Sequence, residues 1–264
     1  MATFLGVGAL ALGIYALAHP SDSGSPAPEG STAQQSATAE AQQSAPREVE
    51  DDKAEADIAQ SAEDLVPAFD VDTPDSITVI VNKQRPMDPY NWAPDDLVLP
   101  QGIGNEWGHV LRAEAAHALE EMYAGASAAG APFIITSGYR SYDTQVGLYN
   151  SYVARSGQAS ADTYSARPGF SEHQTGLAVD LHESTAYCYM TDCFEETAAG
   201  LWLHEHAAEY GFVLRYPNGE SDIVGYKYEP WHFRYVGPEV ALAMQDSGEI
   251  NLETFLGLDA APNY

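Results

Sequence analysis

The 264-residue sequence is poor in cationic side chains, with 11 Lys and Arg against 39 Asp and Glu. Its net charge of −28 repels nucleic acid and anionic lipid surfaces, because phosphate recognition depends on Lys and Arg that displace counterions. We therefore expect no nucleic-acid partner. Hydrophobic residues still make up 45% of the chain, which is enough for a folded core of one or two domains.

Cysteine is equally scarce: Cys188 and Cys193 are the only two in the sequence. A lone pair is too small a set for a structural zinc site built from thiolates. In an exported protein this spacing is typical of a disulfide that closes a short loop, whereas in the cytosol both residues would be free thiols. We favour the disulfide, contingent on export.

An uncharged apolar run extends from Thr3 to Ala18. It is short for a bilayer span and fits the core of a signal sequence or a minimal membrane anchor. No Lys or Arg precedes this run, which is abnormal both for a signal sequence and for a membrane anchor. A translation start further upstream is therefore an alternative. The alternative, a buried helix, would have nothing to pack against. We interpret residues 1–19 as a signal-like or anchoring segment that places the protein in the cell envelope, outside the cytoplasm.

Residues 20–75 are rich in Ser, Ala, Gln, Pro, Asp and Glu, and they lack Trp and Tyr. With 14 acidic and 2 basic side chains, this segment buries too little apolar surface to offset chain entropy. It is predicted to be a disordered acidic linker that holds a domain away from a membrane. An acidic interaction tail is the alternative.

Residues 76–264 are predicted to form one compact domain without internal repeats. Helical periodicity and short β-branched or aromatic runs mix without strict alternation, which indicates an α+β fold: a small antiparallel sheet flanked by helices. The predicted strands are Ser76–Val81, Pro132–Thr136, Leu177–Leu181, Phe212–Leu214 and Trp231–Tyr235. The predicted helices are Glu106–Ala129, Asp143–Arg155, Glu196–Tyr210 with Gly211 as its C-cap, and one that starts after Pro238.

The segment Ser171–Asp180 ends in one of these strands. Strand alternation directs Asp180 away from the core face. His173 lies seven residues earlier and would face the opposite way in one continuous strand, but Gly176 can supply a turn that brings both side chains to one point. For an isolated Asp, the simpler interpretation is a carboxylate on a solvated strand face.

A second segment contains Glu229 and His232, which would also face opposite ways in a regular strand. Pro230 between them cannot donate to a β-ladder and restricts the residue before it, so a bend is predicted there. After the bend, both side chains could line one cleft. Taken alone, His232 would more simply be an ordinary strand histidine.

Taken together, His173, Asp180 and His232 make a set of two histidines and one carboxylate. This is the number of protein ligands that a catalytic zinc uses while it keeps one position open for water. Zinc lowers the pKa of such a water toward about 7, and a free carboxylate nearby can take its proton. Glu229 is the candidate for this base.

Three motifs, Ser137–Ser141, Ser171–Asp180 and Glu229–His232, resemble in order and spacing the D-alanyl-D-alanine carboxypeptidases of the vancomycin-resistance type. These enzymes belong to the zinc peptidase group named for lysostaphin, D-alanyl-D-alanine peptidases and sonic hedgehog. The resemblance covers about residues 77–258, and three motifs in register make it highly specific. The cysteine pair, the acidity and the long linker lie outside the family pattern.

The resemblance implies a monomeric enzyme with one zinc ion, bound by His173, Asp180 and His232, that removes the terminal D-alanine from peptidoglycan stem peptides. It also implies that Glu229 is the catalytic base and that Arg140 polarises the scissile carbonyl and stabilises the oxyanion. A carboxypeptidase acting on an L,D bond, an endopeptidase and a non-catalytic zinc-bearing module that binds peptidoglycan are the alternatives. The implied substrate-binding residues are Gln145, Ser171 and Trp231, although Trp231 could equally be a core aromatic.

The remaining acidic and histidine side chains near these motifs or in the predicted helices have simpler interpretations. Glu172, adjacent to a predicted ligand, could support the metal site or be a solvated loop carboxylate. His204 and His206 lie in a predicted helix, where positions i and i+2 diverge, so they form a poor chelator. His109 and His117 are interpreted as surface or hydrogen-bonded core positions.

Overall fold

The computed structural model describes residues 69–185 and 187–264. Its strands are β1 (Leu97–Val98), β2 (Leu111–Arg112), β3 (Phe133–Ser137), β4 (Ala178–Glu183), β5 (Phe212–Leu214) and β6 (His232–Tyr235). Its helices are α1 (Ala113–Ala128), α2 (Tyr142–Ser156), α3 (Gln158–Ala161), α4 (Ala198–His206), α5 (Ser221–Val224), α6 (Pro238–Ser247) and α7 (Leu252–Phe255). Short 3-10 helices cover Glu172–Thr175, Asp192–Glu196 and Ala207–Tyr210.

A four-stranded antiparallel sheet in the order β3-β4-β6-β5 carries two of the candidate metal ligands, Asp180 and His232. The register sets Asp180 of β4 opposite His232 of β6, and Ser137 of β3 opposite Asp180 on the other side. Strands β1 and β2 form a separate antiparallel pair. The small antiparallel sheet flanked by helices confirms the predicted α+β class.

Alternate side chains of β4 divide the sheet into a core face and a site face. Val179 and Leu181 are completely buried in the main hydrophobic cluster, together with Leu119 and Met122 of α1. Because successive side chains of a strand point to opposite faces, Asp180 between them is directed away from this cluster. The core thereby fixes the direction of the carboxylate.

The helix predicted over Glu106–Ala129 begins only at Ala113, so the first part of that prediction is wrong. The amide of Asn105 donates to the carbonyl of His109 and accepts from its backbone N–H, both at 2.8 Å. Such local side-chain bonds compete with helix formation, and here they close a loop. Trp107, which the helical periodicity places on a packed face, is 76% exposed.

The predicted strand Ser76–Val81 is absent, although Val79, Ile80 and Val81 are buried. Its backbone is satisfied by other means: the carbonyls of Ile77 and Val79 accept from the Arg234 guanidinium at 3.0 and 2.7 Å. A buried arginine therefore takes the place of a neighbouring strand. The other predicted strands and helices are present with bounds shifted by up to two residues, except that the helix predicted over Glu196–Tyr210 ends at His206 and continues as a 3-10 helix over Ala207–Tyr210.

The folded part of the chain starts earlier than the predicted boundary at Ser76. Phe69 and Val71 already pack against a second hydrophobic cluster, which includes Ile80 and Val240. The predictions for residues 1–19 and 20–68 lie outside the described residues. Among residues 69–185 and 187–264, no helix combines the length and apolarity that crossing a membrane requires.

Candidate active site

His173, Asp180 and His232 converge on one buried point, with their potential ligand atoms within 4.8 Å of one another. Asp180 Oδ2 lies 3.3 Å from His173 Nε2, and Asp180 Oδ1 lies 3.0 Å from His232 Nδ1. His173 reaches this point because its 3-10 helix ends at Gly176, whose φ of 71° is the left-handed conformation that glycine tolerates. The turn predicted at Gly176 is therefore present.

The donor set fits a zinc ion. Two imidazole nitrogens and one carboxylate are ligand types that zinc prefers, and they leave a position open. Burial raises the pKa of Asp180, but His173 and His232 lower it by a larger amount. The pKa therefore lies well below the usual range of an aspartate, and the carboxylate is ionised. Its buried Oδ1 makes no hydrogen bond to any of the described residues, despite its short distance to His232 Nδ1. These atoms are arranged to bind a cation between them.

The second ring nitrogen of each histidine faces an acceptor, and that of His173 is hydrogen-bonded to it. His173 Nδ1 donates to the Gly138 carbonyl at 2.8 Å, which leaves Nε2 free to face the metal position. His232 Nε2 lies 3.7 Å from Glu172 Oε2. Glu172 is 1% exposed, so the solvated interpretation of this residue is wrong.

A buried network of charges holds Glu172. Its Oε1 accepts from Arg215 Nε at 2.7 Å and from Arg234 Nη1 at 3.1 Å. Burial raises the pKa of Glu172, but the two guanidinium groups lower it by a larger amount, so that the pKa lies well below its usual range. Glu253 of α7 accepts from Arg215 Nη1 at 2.8 Å and supplies a second negative charge to the network. Glu172 therefore presents an ionised carboxylate to His232.

We expect the substitution Glu172→Gln to weaken zinc binding by about 10- to 100-fold, because a histidine ligand loses the carboxylate that orients it. Competition with a chromophoric chelator measures the zinc Kd without reference to activity. Glu121→Gln, at an exposed position of α1, is the matched control. An unchanged zinc Kd in folded Glu172→Gln protein would contradict the role of Glu172.

The bend at Pro230 brings the side chain of Glu229 close to that of His232. Its Oε2 is 3.7 Å from His232 Nδ1, and its side chain is 15% exposed. Burial, assisted by the negative charge of Asp180, raises the pKa of Glu229 to about 8, although His232 and Arg140 act in the opposite direction. A cation at the ligand set would lower this pKa. The carboxylate is thus placed to exchange a proton with a molecule bound next to it.

Arg140 precedes α2, whose N-cap Ser141 accepts from the backbone N–H of Thr144 at 3.2 Å. Arg140 Nη1 donates to Gln145 Oε1 at 2.9 Å, and Arg140 Nη2 donates to Ser137 Oγ at 3.3 Å. Gln145 is completely buried, and its Nε2 donates to a backbone carbonyl at 2.6 Å. The structure places Gln145 beside Arg140 and outside the residues that line the cavity, and its contact with substrate, which the resemblance implies, stays a prediction.

The metal position opens into a cavity of about 110 Å³. Ser171 lines this cavity, and so does Trp231, which also belongs to the main hydrophobic cluster. Both interpretations of Trp231 are therefore compatible with its position. Sequence reasoning missed the other lining side chains, since nothing local distinguished them from residues of the same types elsewhere: Tyr152, Tyr164, Ser165, Ala166, Met190, Tyr216 and Tyr226.

The other histidines that the structure describes do not belong to this cluster. In the part of the chain that the structure describes, His173, Asp180 and His232 are the one group with metal-binding geometry. His206 of α4 instead pairs with Glu209, with 2.8 Å between Nδ1 and Oε1. Cys188 and Cys193 are joined by a disulfide.

A set of two histidines and one carboxylate, with a free carboxylate and a guanidinium beside it, is the type of site that a metallopeptidase uses. The VanY family, described as D-alanyl-D-alanine carboxypeptidase, matches residues 108–238. The YodJ protein of Bacillus subtilis (strain 168) is 39% identical over 192 residues, which cover 70% of this chain and 68% of YodJ.

Solved structures of peptidases are also similar to this chain. The LD-carboxypeptidase LdcB is 39% identical, with a TM-score of 0.65, over 70% of this chain and 87% of LdcB. A mutant of the vancomycin-resistance D,D-pentapeptidase VanY in complex with Zn(II) is 31% identical, with a TM-score of 0.58, over 69% of this chain and 99% of that chain. The chain belongs to the VanY family of D-alanyl-D-alanine carboxypeptidases.

Proposed function

We propose that this protein is a zinc-dependent carboxypeptidase that releases the terminal D-alanine from peptidoglycan stem peptides. The observation that carries the proposal is the convergence of His173, Asp180 and His232 on one point, with Glu229 and Arg140 beside it. The same geometry supports a single zinc ion held by these three ligands. Membership of the VanY family supports the substrate class.

The residues divide the chemistry between them. When bound, zinc polarises a carbonyl oxygen and lowers the pKa of a coordinated water toward about 7. Glu229 takes the proton of the attacking water and returns it to the leaving amine. Arg140, held in a fixed orientation by Gln145 and Ser137, donates to the carbonyl oxygen as negative charge develops on it.

The size and lining of the cavity favour removal of a terminal residue. At about 110 Å³ the cavity is far smaller than the roughly 300–1,000 Å³ of typical ligand pockets, so it suits one small residue such as alanine. Arg140 is the one Lys or Arg among the described residues that line it, and the Ser171 hydroxyl is a further donor. An exopeptidase must recognise a C-terminal carboxylate, and the Ser171 hydroxyl is suited to donate to it while Arg140 serves the scissile carbonyl oxygen.

Cleavage of an L,D bond is the second candidate. The similarity to the LD-carboxypeptidase LdcB, at 39% identity, exceeds that to the D,D-pentapeptidase VanY, at 31%. A stem tetrapeptide with one terminal D-alanine separates the two activities. An L,D-carboxypeptidase releases that residue, whereas a D,D-carboxypeptidase acts on the pentapeptide alone.

We further propose that the protein acts outside the cytoplasm, in the cell envelope, as a monomer that is secreted or anchored through its N-terminal segment. Three observations support this placement: the apolar run from Thr3 to Ala18, the disulfide between Cys188 and Cys193, and a substrate class that is located in the wall. Fractionation of cells, with the protein detected by antibody, tests the localisation.

Two synthetic stem pentapeptides ending in D-Ala-D-Ala, one with a free and one with an amidated C-terminus, test the activity on the full chain. We expect amidation to lower kcat/KM at least about tenfold. Donors directed at the carboxylate lose a charge-assisted bond worth about 1.5–3 kcal/mol, and about 1.4 kcal/mol corresponds to one decade. Mass spectrometry follows the released residue.

Four outcomes count against the proposal. Equal rates on both stems, or cleavage at an internal bond alone, would indicate an endopeptidase. Full activity after exhaustive chelation, with metal content measured in the same sample, would contradict the zinc mechanism. Zinc bound without hydrolysis of any stem would favour a binding module.

A further inference from the structure

The loop closed by the disulfide between Cys188 and Cys193 forms part of the cavity wall. Met190, near the middle of this loop, lines the cavity together with the candidate metal ligands. Cys188 and Met190 have φ values of 63° and 51°, a left-handed conformation that residues with a side chain seldom adopt. Closure of the loop by the disulfide restrains the chain to a conformation that it would otherwise leave readily.

Contacts on both sides fix this loop relative to the active site. The ring of Tyr189 lies 5.0 Å from that of His182 in β4, and His182 in turn stacks on the fully buried Phe194 at 5.4 Å. Beyond the disulfide, Glu195 Oε2 accepts from the Tyr228 hydroxyl at 2.5 Å. Tyr228 is the residue immediately before Glu229. The loop is therefore held between β4 and the segment that carries the candidate base.

Met190 differs in chemistry from the rest of the cavity wall. Among the described lining residues, Met190 and Ala166 are the aliphatic ones, and the others are polar, charged or aromatic. A methionine side chain is flexible and polarizable, and it fits its shape to irregular apolar partners. Stem peptides offer such partners in the methyl groups of alanine and the methylene chain of the diamino acid.

We propose that the Cys188–Cys193 loop is a specificity element whose disulfide holds Met190 against the bound stem peptide. This inference rests on the proposed function and names a residue that contributes to recognition of the same substrate. A dithiol reverses the restraint: it gives two electrons and two protons to the disulfide, which opens to two thiols, while the dithiol closes to its own disulfide. The reduced loop no longer holds Met190 in the wall, so recognition depends on the redox state of the loop.

Steady-state kinetics of the full chain on the free stem pentapeptide test this inference. We expect Met190→Ala to raise KM about three- to tenfold with little change in kcat, since part of the apolar contact is lost while the catalytic groups stay in place. Met190→Leu keeps an apolar side chain of similar volume and should recover most of this loss. Leu201→Ala, at an exposed position of α4, is the matched control.

The redox step has its own comparison. Dithiothreitol treatment, followed by restoring zinc to equal content in both proteins because this dithiol chelates zinc, should raise the KM of the wild type to that of the double variant Cys188→Ser/Cys193→Ser and leave the double variant unaffected. Calorimetric titration of the stem into metal-depleted proteins reads the same contact without turnover. Weaker binding by Met190→Ala supports the wall contact even if no stem is hydrolysed, in which case the proposed function alone fails. An equal Kd and KM for Met190→Ala and the wild type, or no effect of dithiothreitol on the wild type, would overturn the inference.

Discussion

Replacing Glu229 by Gln is expected to lower kcat by about 10²- to 10⁴-fold while zinc remains bound, because an amide does not accept the proton of the attacking water. The substitution preserves the shape of the side chain, and the three metal ligands are untouched. Turnover of the stem pentapeptide and the zinc content of the same sample are the two measurements. Glu239→Gln, at an exposed position of α6, is the matched control.

The pH profile gives a second readout for Glu229. Burial raises the pKa of this carboxyl, and its proton-accepting form is lost as the pH falls through that pKa. Activity of the wild type should therefore decline on the acid side, with a midpoint below 8, since a bound cation lowers the pKa. The residual activity of Glu229→Gln should lack this acid limb. Near-normal kcat with zinc bound would exclude Glu229 as the base.

The substitution Arg140→Lys is expected to lower kcat by about 10²- to 10³-fold, comparable to the loss of one oxyanion-stabilising donor. Lysine keeps the charge but lacks the planar fork with which Arg140 binds Gln145 and Ser137, so its ammonium group is not held in a fixed orientation. The rate of release of the terminal residue, measured at saturating stem peptide, reports this loss.

The control for this substitution is Arg85→Lys, because Arg85 pairs with Asp72 away from the cavity. Its kcat should stay within about twofold of the wild type, since an ion pair at a partly exposed position contributes little. Both variants should retain the zinc affinity of the wild type, as neither side chain is a metal ligand. Equal kcat for Arg140→Lys and the control would remove Arg140 from the chemistry.

Local patterns, together with the family resemblance, predicted the ligand set from the sequence. Alternation along a strand directed Asp180 away from the core, and Gly176 supplied the turn that returns His173 to the same point. Pro230 predicted the bend that places Glu229 and His232 on one side. Each of these features depends on the backbone preferences of neighbouring residues, and the local sequence determines those preferences. The same locality explains why most strands and helices were found within two residues of their bounds.

The tertiary structure decided which polar groups support the site and how. Glu172 could be judged solvated or buried until Arg215 and Arg234, which follow far along the chain, were found to neutralise it. Gln145 bonds to Arg140, and Met190 lines the cavity. Burial of a charge or an amide is stable only when partners from other segments satisfy it, and no local pattern records those partners. The sequence therefore determined the chemistry of the site, whereas packing between distant segments determined its supports and its walls.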